Sequence, residues 1–164
     1  MAVVTILILV VLDQYSKSLA EYYLAGGTIR IIPGFFELEL TWNSGAAWNF
    51  LAAKSWGITL LSISSLIVSI VVLFYLGRAQ GFKAKMILVL IAAGGIGNLI
   101  DRIRFGRVTD FLSFNFGSYK FPVFNLADAF VTIGVILAIL FLLLDHSFME
   151  QITGNIAPEI GDAE

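Results

Sequence analysis

The 164-residue sequence contains no cysteine, which excludes a disulfide framework, a thiolate metal site and a thiol nucleophile. It has a single histidine, His146, close to the C-terminal end. A Ser/His dyad or a His-ligated zinc site near the carboxylates discussed below therefore lacks its imidazole. Charge is scarce: Lys and Arg number 10 and Asp and Glu 12, together 13% of the chain, against roughly 25% in soluble proteins. A formal net charge of −2, with basic residues scattered singly or in threes, offers no counterion-release footprint, and nucleic acid is not an expected partner. Apolar residues are in excess. They make 59% of the chain before the 15 glycines are added, where a globular domain has about 45–50% with glycine included. The surplus must face lipid.

Ser55 to Gly77 is a run of 23 residues without a charge; at about 1.5 Å per residue it is long enough to cross a bilayer core with some tilt. It shows no polar face and reads as a lipid-facing anchor, with Trp56 and Tyr75 as interfacial rings. Three further spans reach full length only if ionisable residues lie at membrane depth. The first runs to Leu24 through Asp13 and Lys17, the third continues from Met86 into Asp101 and Arg102, and the fourth, from Val123 to Leu144, carries Asn125 and Asp128 in its first two turns. The N-terminal apolar run has no basic leader and no small-residue cleavage pattern after it, so it reads as a span and not as a secretory signal.

The expected fold is a membrane all-α domain over 1–145, with helices at about 2–24, 55–77, 86–103 and 123–144. A surface β cradle is expected at about 28–50, and 146–164 reads as an acidic, poorly ordered tail. Four spans put both termini on one side with the short Arg78–Lys85 loop. The two longer loops, 25–54 and 103–122, lie on the other side with all the intramembrane ionisable residues. The basic residues at the two-loop side are Lys17, Arg30, Lys54, Arg102, Arg104, Arg107 and Lys120; those opposite are Arg78, Lys83 and Lys85. This count of 7 to 3 favours cytoplasmic loops, but cations engaged in a site are poor topology signals. Phe36 to Trp42 alternates apolar and polar residues, as a strand lying on a membrane surface would. Pro33-Gly34 is a turn signal that lets Ile29–Ile32 pair with it, and Ile103–Phe121, with turn points at Gly106 and Gly117, can dock on the same platform.

A charged side chain in hydrocarbon costs about 2.5–3.5 kcal/mol even on lenient scales, so several at one depth are either paired or used. Asp13 and Lys17 are spaced i, i+4; Asn98 with Asp101 and Arg102 repeats that geometry on the third helix. These two sets read equally as structural pairs or as parts of a site. Asp110 and Asp128 have no cation at i, i+3 or i, i+4. Two carboxylates brought together in a low dielectric cannot both ionise, so one holds a proton as an acid while the other serves as a base, the division of labour in aspartic peptidases. Gly94, Gly95 and Gly97 have no phosphate-loop Lys after them and read as helix-packing residues.

Five ordered motifs carry a resemblance: Asp13-Gln14-Tyr15-Ser16-Lys17, Asn43-Ser44-Gly45-Ala46-Ala47-Trp48, Gly94-Gly95-Ile96-Gly97-Asn98-Leu99-Ile100-Asp101-Arg102, Val108-Thr109-Asp110-Phe111 and Phe121-Pro122-Val123-Phe124-Asn125-Leu126-Ala127-Asp128. From Leu12 to about Leu144 the chain resembles bacterial lipoprotein signal peptidase, signal peptidase II. The resemblance implies a four-helix aspartic endopeptidase of the bacterial inner membrane, with cytoplasmic termini and a site facing away from the cytoplasm. It would cleave a prolipoprotein just before its diacylglyceryl-modified cysteine. Asp110 and Asp128 become the catalytic pair. Asn43, Gly45, Asn98, Arg102 and Asn125 become the shell that positions substrate and carboxylates, with Asp13, Lys17 and Asp101 in support. Ala127 would keep the cleft open for the small residues before the scissile bond. No metal or other cofactor is implied; membrane lipid is an expected partner, cyclic peptide antibiotics of the globomycin type are expected inhibitors, and the chain is expected to be a monomer. The rival from another class is a small ion-coupled transporter or channel subunit, in which the membrane carboxylates and arginine would line a path.

Overall fold

The computed structural model describes residues 1–45 and 56–155. The expectations that rest on Ala46, Ala47, Trp48, Lys54 and Ser55, on the end of the β cradle, and on the tail from 156 lie outside the described residues.

Among the described residues, four helices are long and apolar enough to cross a membrane: α1 (Ala2–Tyr23), α2 (Gly57–Arg78), α3 (Phe82–Phe105) and α4 (Leu126–Leu144). The third is the hub, packing against the other three. In lipid, apolar side chains gain nothing by leaving one apolar surface for another, so helix association depends on close packing. The helix α3 achieves it with missing side chains. A Cβ on Gly94 would clash with the Ala127 carbonyl oxygen, and one on Gly97 would lie 2.6 Å from Asp13 Oδ2. These glycines let α1 and α4 approach the α3 backbone directly.

The loops on the two-loop side build one antiparallel sheet in the order β1 (Ile29–Ile32), β2 (Phe36–Asn43), β3 (Val108–Phe116) and β4 (Tyr119–Lys120). Alternation along β2 has the predicted consequence. Leu38 and Leu40 pack toward Ala20, Leu24 and Phe111, while Thr41 and Asn43 face a cavity. Register slips between Leu38 and Thr41, so that Thr41 pairs with Asp110. Phe36, Phe114 and Phe124 stack in sequence across the sheet, at 4.6 and 5.9 Å between ring centroids.

Several boundaries differ from the sequence reading. The loop read as Arg78–Lys85 is only three residues long, 79–81, because Arg78 ends α2 and Lys83 and Lys85 lie in the first turn of α3. The fourth helix starts at Leu126 and not at Val123, since Phe124 is drawn into the sheet by exchanging hydrogen bonds with Leu112. The segment from 146 is not uniformly a loose tail: α5 (Phe148–Thr153) buries Phe148 completely against the core. Gln80 donates its backbone N–H to the Gln151 carbonyl at 2.7 Å, so α5 clamps the α2–α3 turn. Phe148 and Ile152, spaced i, i+4, carried that signal within an acidic context.

Candidate active site

A cavity of about 930 Å³ opens at the two-loop end, lined by residues of α2, α3, α4, the sheet and the strand-like approach to α4. Asp110 and Asp128 both lie on its wall. They come from different elements. Asp110 sits in the buried first half of β3, and Asp128 is in the first turn of α4.

The geometry at Asp128 follows from helix termination. The first N–H groups of a helix lack intrahelical partners, and a side chain at the N-cap and another three residues on can satisfy them reciprocally. Asn125 is extended, not helical, and serves as this cap: its Oδ1 accepts from Asp128 N at 2.9 Å while Asp128 Oδ2 accepts from Asn125 N at 3.2 Å. Asn125 therefore precedes the helix and does not lie in its first turns. Its amide Nδ2 is then free to reach across and donate to Asp110 Oδ1 at 2.6 Å. One asparagine thus fixes both carboxylates. The second oxygen of Asp110 accepts from Asn43 Nδ2 at 3.1 Å, and Asn43 is held in turn by the Gly45 N–H on its Oδ1 at 2.9 Å. Asp128 Oδ1 accepts from Asn98 Nδ2 at 2.7 Å.

Behind this layer lies a buried ion cluster. Lys17 directs its three ammonium hydrogens at three acceptors, Asp13 Oδ2 at 2.8 Å, Asp101 Oδ2 at 3.0 Å and Asn98 Oδ1 at 3.0 Å. Asp13, Lys17 and Asp101 are 0, 3 and 1% exposed. An ammonium with all three donors used is the arrangement in which a buried ion pair is tolerated. The remaining carboxylate oxygens hold backbone: Asp13 Oδ1 accepts from Ala127 N at 2.9 Å, and Asp101 Oδ2 also accepts from Thr109 N at 3.1 Å. The cluster ties α1, α3, α4 and β3 together one residue away from each of the two cavity aspartates. The local Asp101/Arg102 pairing read from the sequence is corrected here, for Asp101 takes its cation from α1. Arg102 lies on the cavity wall instead. Ala127 is completely buried against α3, with Gly97 beside its methyl group, and its placement is one of helix packing.

Asp110 is raised to about 7, above all because burial disfavours its charged form and next because Asp128 is a like charge nearby; the amides of Asn43 and Asn125 and the Lys17 charge oppose the shift. A carboxyl that keeps its proton to near neutrality, beside a second carboxylate in one cavity, can supply an acid and a base together.

The Signal peptidase (SPase) II family model matches residues 5–144. The chain belongs to the signal peptidase II family. It is 42% identical over 137 residues to the lipoprotein signal peptidase of Sulfurihydrogenibium sp. (strain YO3AOP1), covering 80% of this chain and 84% of that one. It is 38% identical over 144 residues to the lipoprotein signal peptidase of Coxiella burnetii (strain Dugway 5J108-111), covering 85% and 88%. A bacterial membrane enzyme solved by the in meso method at 2.3 Å resolution superposes with a TM-score of 0.77 at 34% identity, over 89% of each chain. Another, at 1.9 Å, gives 0.76 at 35% identity over 88% of this chain and 93% of that one. The chain is therefore a multi-pass membrane peptidase of prolipoprotein processing, and the transporter reading has no support.

Within the signal peptidase II fold, two groups escaped the sequence reading. Gln14 donates to Asp101 Oδ1 at 2.8 Å and to the Gly97 carbonyl at 3.2 Å; its i, i+3 relation to Lys17 placed it beside the charged stripe. The serines of α2 are the other group, since Ser64 and Ser65 line the cavity and α2 is not a plain anchor.

Proposed function

We propose that this member of the signal peptidase II family is an aspartic endopeptidase in which Asp110 and Asp128 share one proton and hydrolyse the amide bond before the diacylglyceryl-modified cysteine of a prolipoprotein. The observation that carries this reading is the Asn125 bridge, which caps the helix bearing Asp128 and hydrogen-bonds Asp110. The ionised carboxylate takes a proton from a water molecule as the water oxygen bonds to the peptide carbonyl carbon. The protonated partner donates to the carbonyl oxygen. A proton then passes to the amide nitrogen, the C–N bond breaks, and the lipidated cysteine leaves with a free amino group. Asn43, Gly45, Asn98, Arg102 and Asn125 orient the carboxylates and the peptide; Asp13, Lys17, Asp101 and Ala127 hold the elements that carry them. The unit is residues 1–145, acting as a monomer without a metal or other cofactor, in contact with membrane lipid and open to cyclic peptide inhibitors of the globomycin type.

The protein resides in the bacterial inner membrane with cytoplasmic termini and an extracytoplasmic site. The charge count that opposes this orientation loses weight on inspection of the cations. Lys17 is buried in the ion cluster, and Arg102 belongs to the cavity wall. A cation built into the interior at membrane depth is there for its partners or for the site and is a poor guide to topology. A site on the cytoplasmic face would miss a scissile bond held at the outer leaflet by the core thickness, about 30 Å.

The test is purified protein with a synthetic diacylglyceryl prolipoprotein peptide, the products read by mass spectrometry. A single cut leaving the modified cysteine at the new N-terminus, undiminished by chelators, is expected; an intact substrate or a cut elsewhere contradicts the reading. Orientation is read separately in intact cells from Ser44→Cys, Ser118→Cys and Gln80→Cys with a membrane-impermeant maleimide. The first two label and Gln80→Cys does not. The reverse pattern overturns the topology.

A further inference from the structure

The serine row on α2 behaves unevenly. Ser62 returns its hydroxyl to the Ile58 carbonyl at 2.7 Å, as serine commonly does within an apolar helix. Ser65, three residues on, instead accepts a hydrogen bond from Arg102 Nη1 at 3.3 Å, from a different helix. Ser69, a further turn along, is buried with its hydroxyl unpartnered among the described residues, and a Cβ on Gly95 would come within 2.9 Å of it. Gly95 therefore lets α2 lie close against α3. Because the two helices are joined by a three-residue turn and run antiparallel, Ser65 lies on the site side of that contact, within reach of Arg102. Arg102 shares the cavity wall with Asp110 and Asp128, yet its Nε is buried without a partner among the described residues.

We infer that Ser65 is a positioning residue for the hydrolysis: it fixes one arm of the Arg102 guanidinium so that the other terminal nitrogen, Nη2, faces the cavity and takes a backbone carbonyl oxygen of the bound peptide. This rests on the aspartic peptidase reading of the same cavity. A guanidinium is planar and forked, so anchoring Nη1 sets the direction of Nε and Nη2. Without the anchor the side chain samples other rotamers, and the peptide carbonyl loses a donor aligned with the reacting centre. The effect falls on the transition state more than on binding.

The experiment compares Ser65→Ala, Ser65→Thr, Ser62→Ala and Arg102→Gln, with the Ser65→Ala/Arg102→Gln double variant, in kcat, KM and thermal midpoint on the lipidated peptide. Ser65→Ala is expected to lower kcat about tenfold, the lower end for a hydrogen bond to a charged group, with KM within about twofold and an unchanged midpoint. Ser65→Thr, which keeps the hydroxyl, restores most of the rate, and Ser62→Ala matches the wild type. In the Arg102→Gln background, Ser65→Ala costs nothing more, because its effect runs through the arginine. A wild-type rate in Ser65→Ala overturns the inference, as does a loss that adds in full to that of Arg102→Gln, or one that Thr does not restore and that tracks a lowered midpoint. Cleavage by Asp110→Asn at the wild-type rate would instead sink the dyad itself, whatever Ser65→Ala does.

Discussion

The helices α1 and α2 are each 22 residues long and each turns most of its surface to lipid, yet they bury different things. What α1 hides is chiefly a charge pair, Asp13 and Lys17; what α2 hides is Gly57, Ser69 and Leu76. The contrast follows from what membrane burial costs. A charge at membrane depth demands partners from other helices, so its presence in an apolar run announces tertiary contact. A hydroxyl can be satisfied on its own helix, as Ser62 is, so a serine in an apolar run announces nothing. The functional part of α1 is visible in its composition, whereas that of α2 emerges only when Arg102 is seen to reach it.

Substitution separates the two helices. Lys17→Met leaves Asp13 and Asp101 buried without a cation, and should lower stability by about 3–5 kcal/mol, read as a falling thermal midpoint in detergent. Ser69→Ala on α2 should stay within about 0.5 kcal/mol of wild type. Equal midpoints for the two would erase the distinction. Glycines give the next largest effect. Gly94→Ala and Gly97→Ala drive a methyl into the Ala127 carbonyl or the Asp13 carboxylate and should cost about 1–3 kcal/mol. Gly77→Ala on α2 meets nothing within 4 Å among the described residues and should gain up to about 1 kcal/mol from helix propensity.

A pH dependence separates the site from the rest of the molecule. Asp110 has an ordinary value of 3.8 and a folded one of about 7, so the folded protein binds its proton more tightly. The stability this contributes is full below about pH 4 and is lost as pH rises through 7. Wild type should therefore lose thermal midpoint relative to Asp110→Asn between pH 4 and 7, with the difference constant above. A parallel course for the two proteins would show that Asp110 titrates normally. The smallest effect is expected at the sheet edge, where Arg30 is 75% exposed in its pair with Glu37; Arg30→Ala should change stability by less than about 1 kcal/mol.

Much of the architecture was legible because lipid punishes mistakes. Four spans, the strand at Phe36–Trp42 and the packing glycines each follow from a local rule, and Gly106 and Gly117 stand where turns require them, both at positive φ. The Asp13–Lys17 contact follows from i, i+4 spacing. Long-range choices were not legible. No local rule says that Asp101 prefers Lys17 on α1 to its neighbour Arg102, since that choice is made where α1 and α3 cross at Gly97. Nor does the sequence reveal that Phe124 joins the sheet, which moves Asn125 from the first helical turn to the cap. That one displacement turns Asn125 from a shell residue into the bridge between the carboxylates. The helix at Phe148–Thr153 was obscured by the acidic residues around it.

Hydrolysis by two carboxylates acting as one device is tested directly by single-turnover cleavage of a lipidated prolipoprotein peptide by Asp110→Asn, Asp128→Asn and the double variant, each first shown to fold by its thermal midpoint. Each single variant should lose at least about a thousandfold in rate, and the double should be scarcely slower than either, because groups that act as a unit are not additive. Substantial cleavage by either single variant, or a double variant slower by the product of both losses, would contradict it.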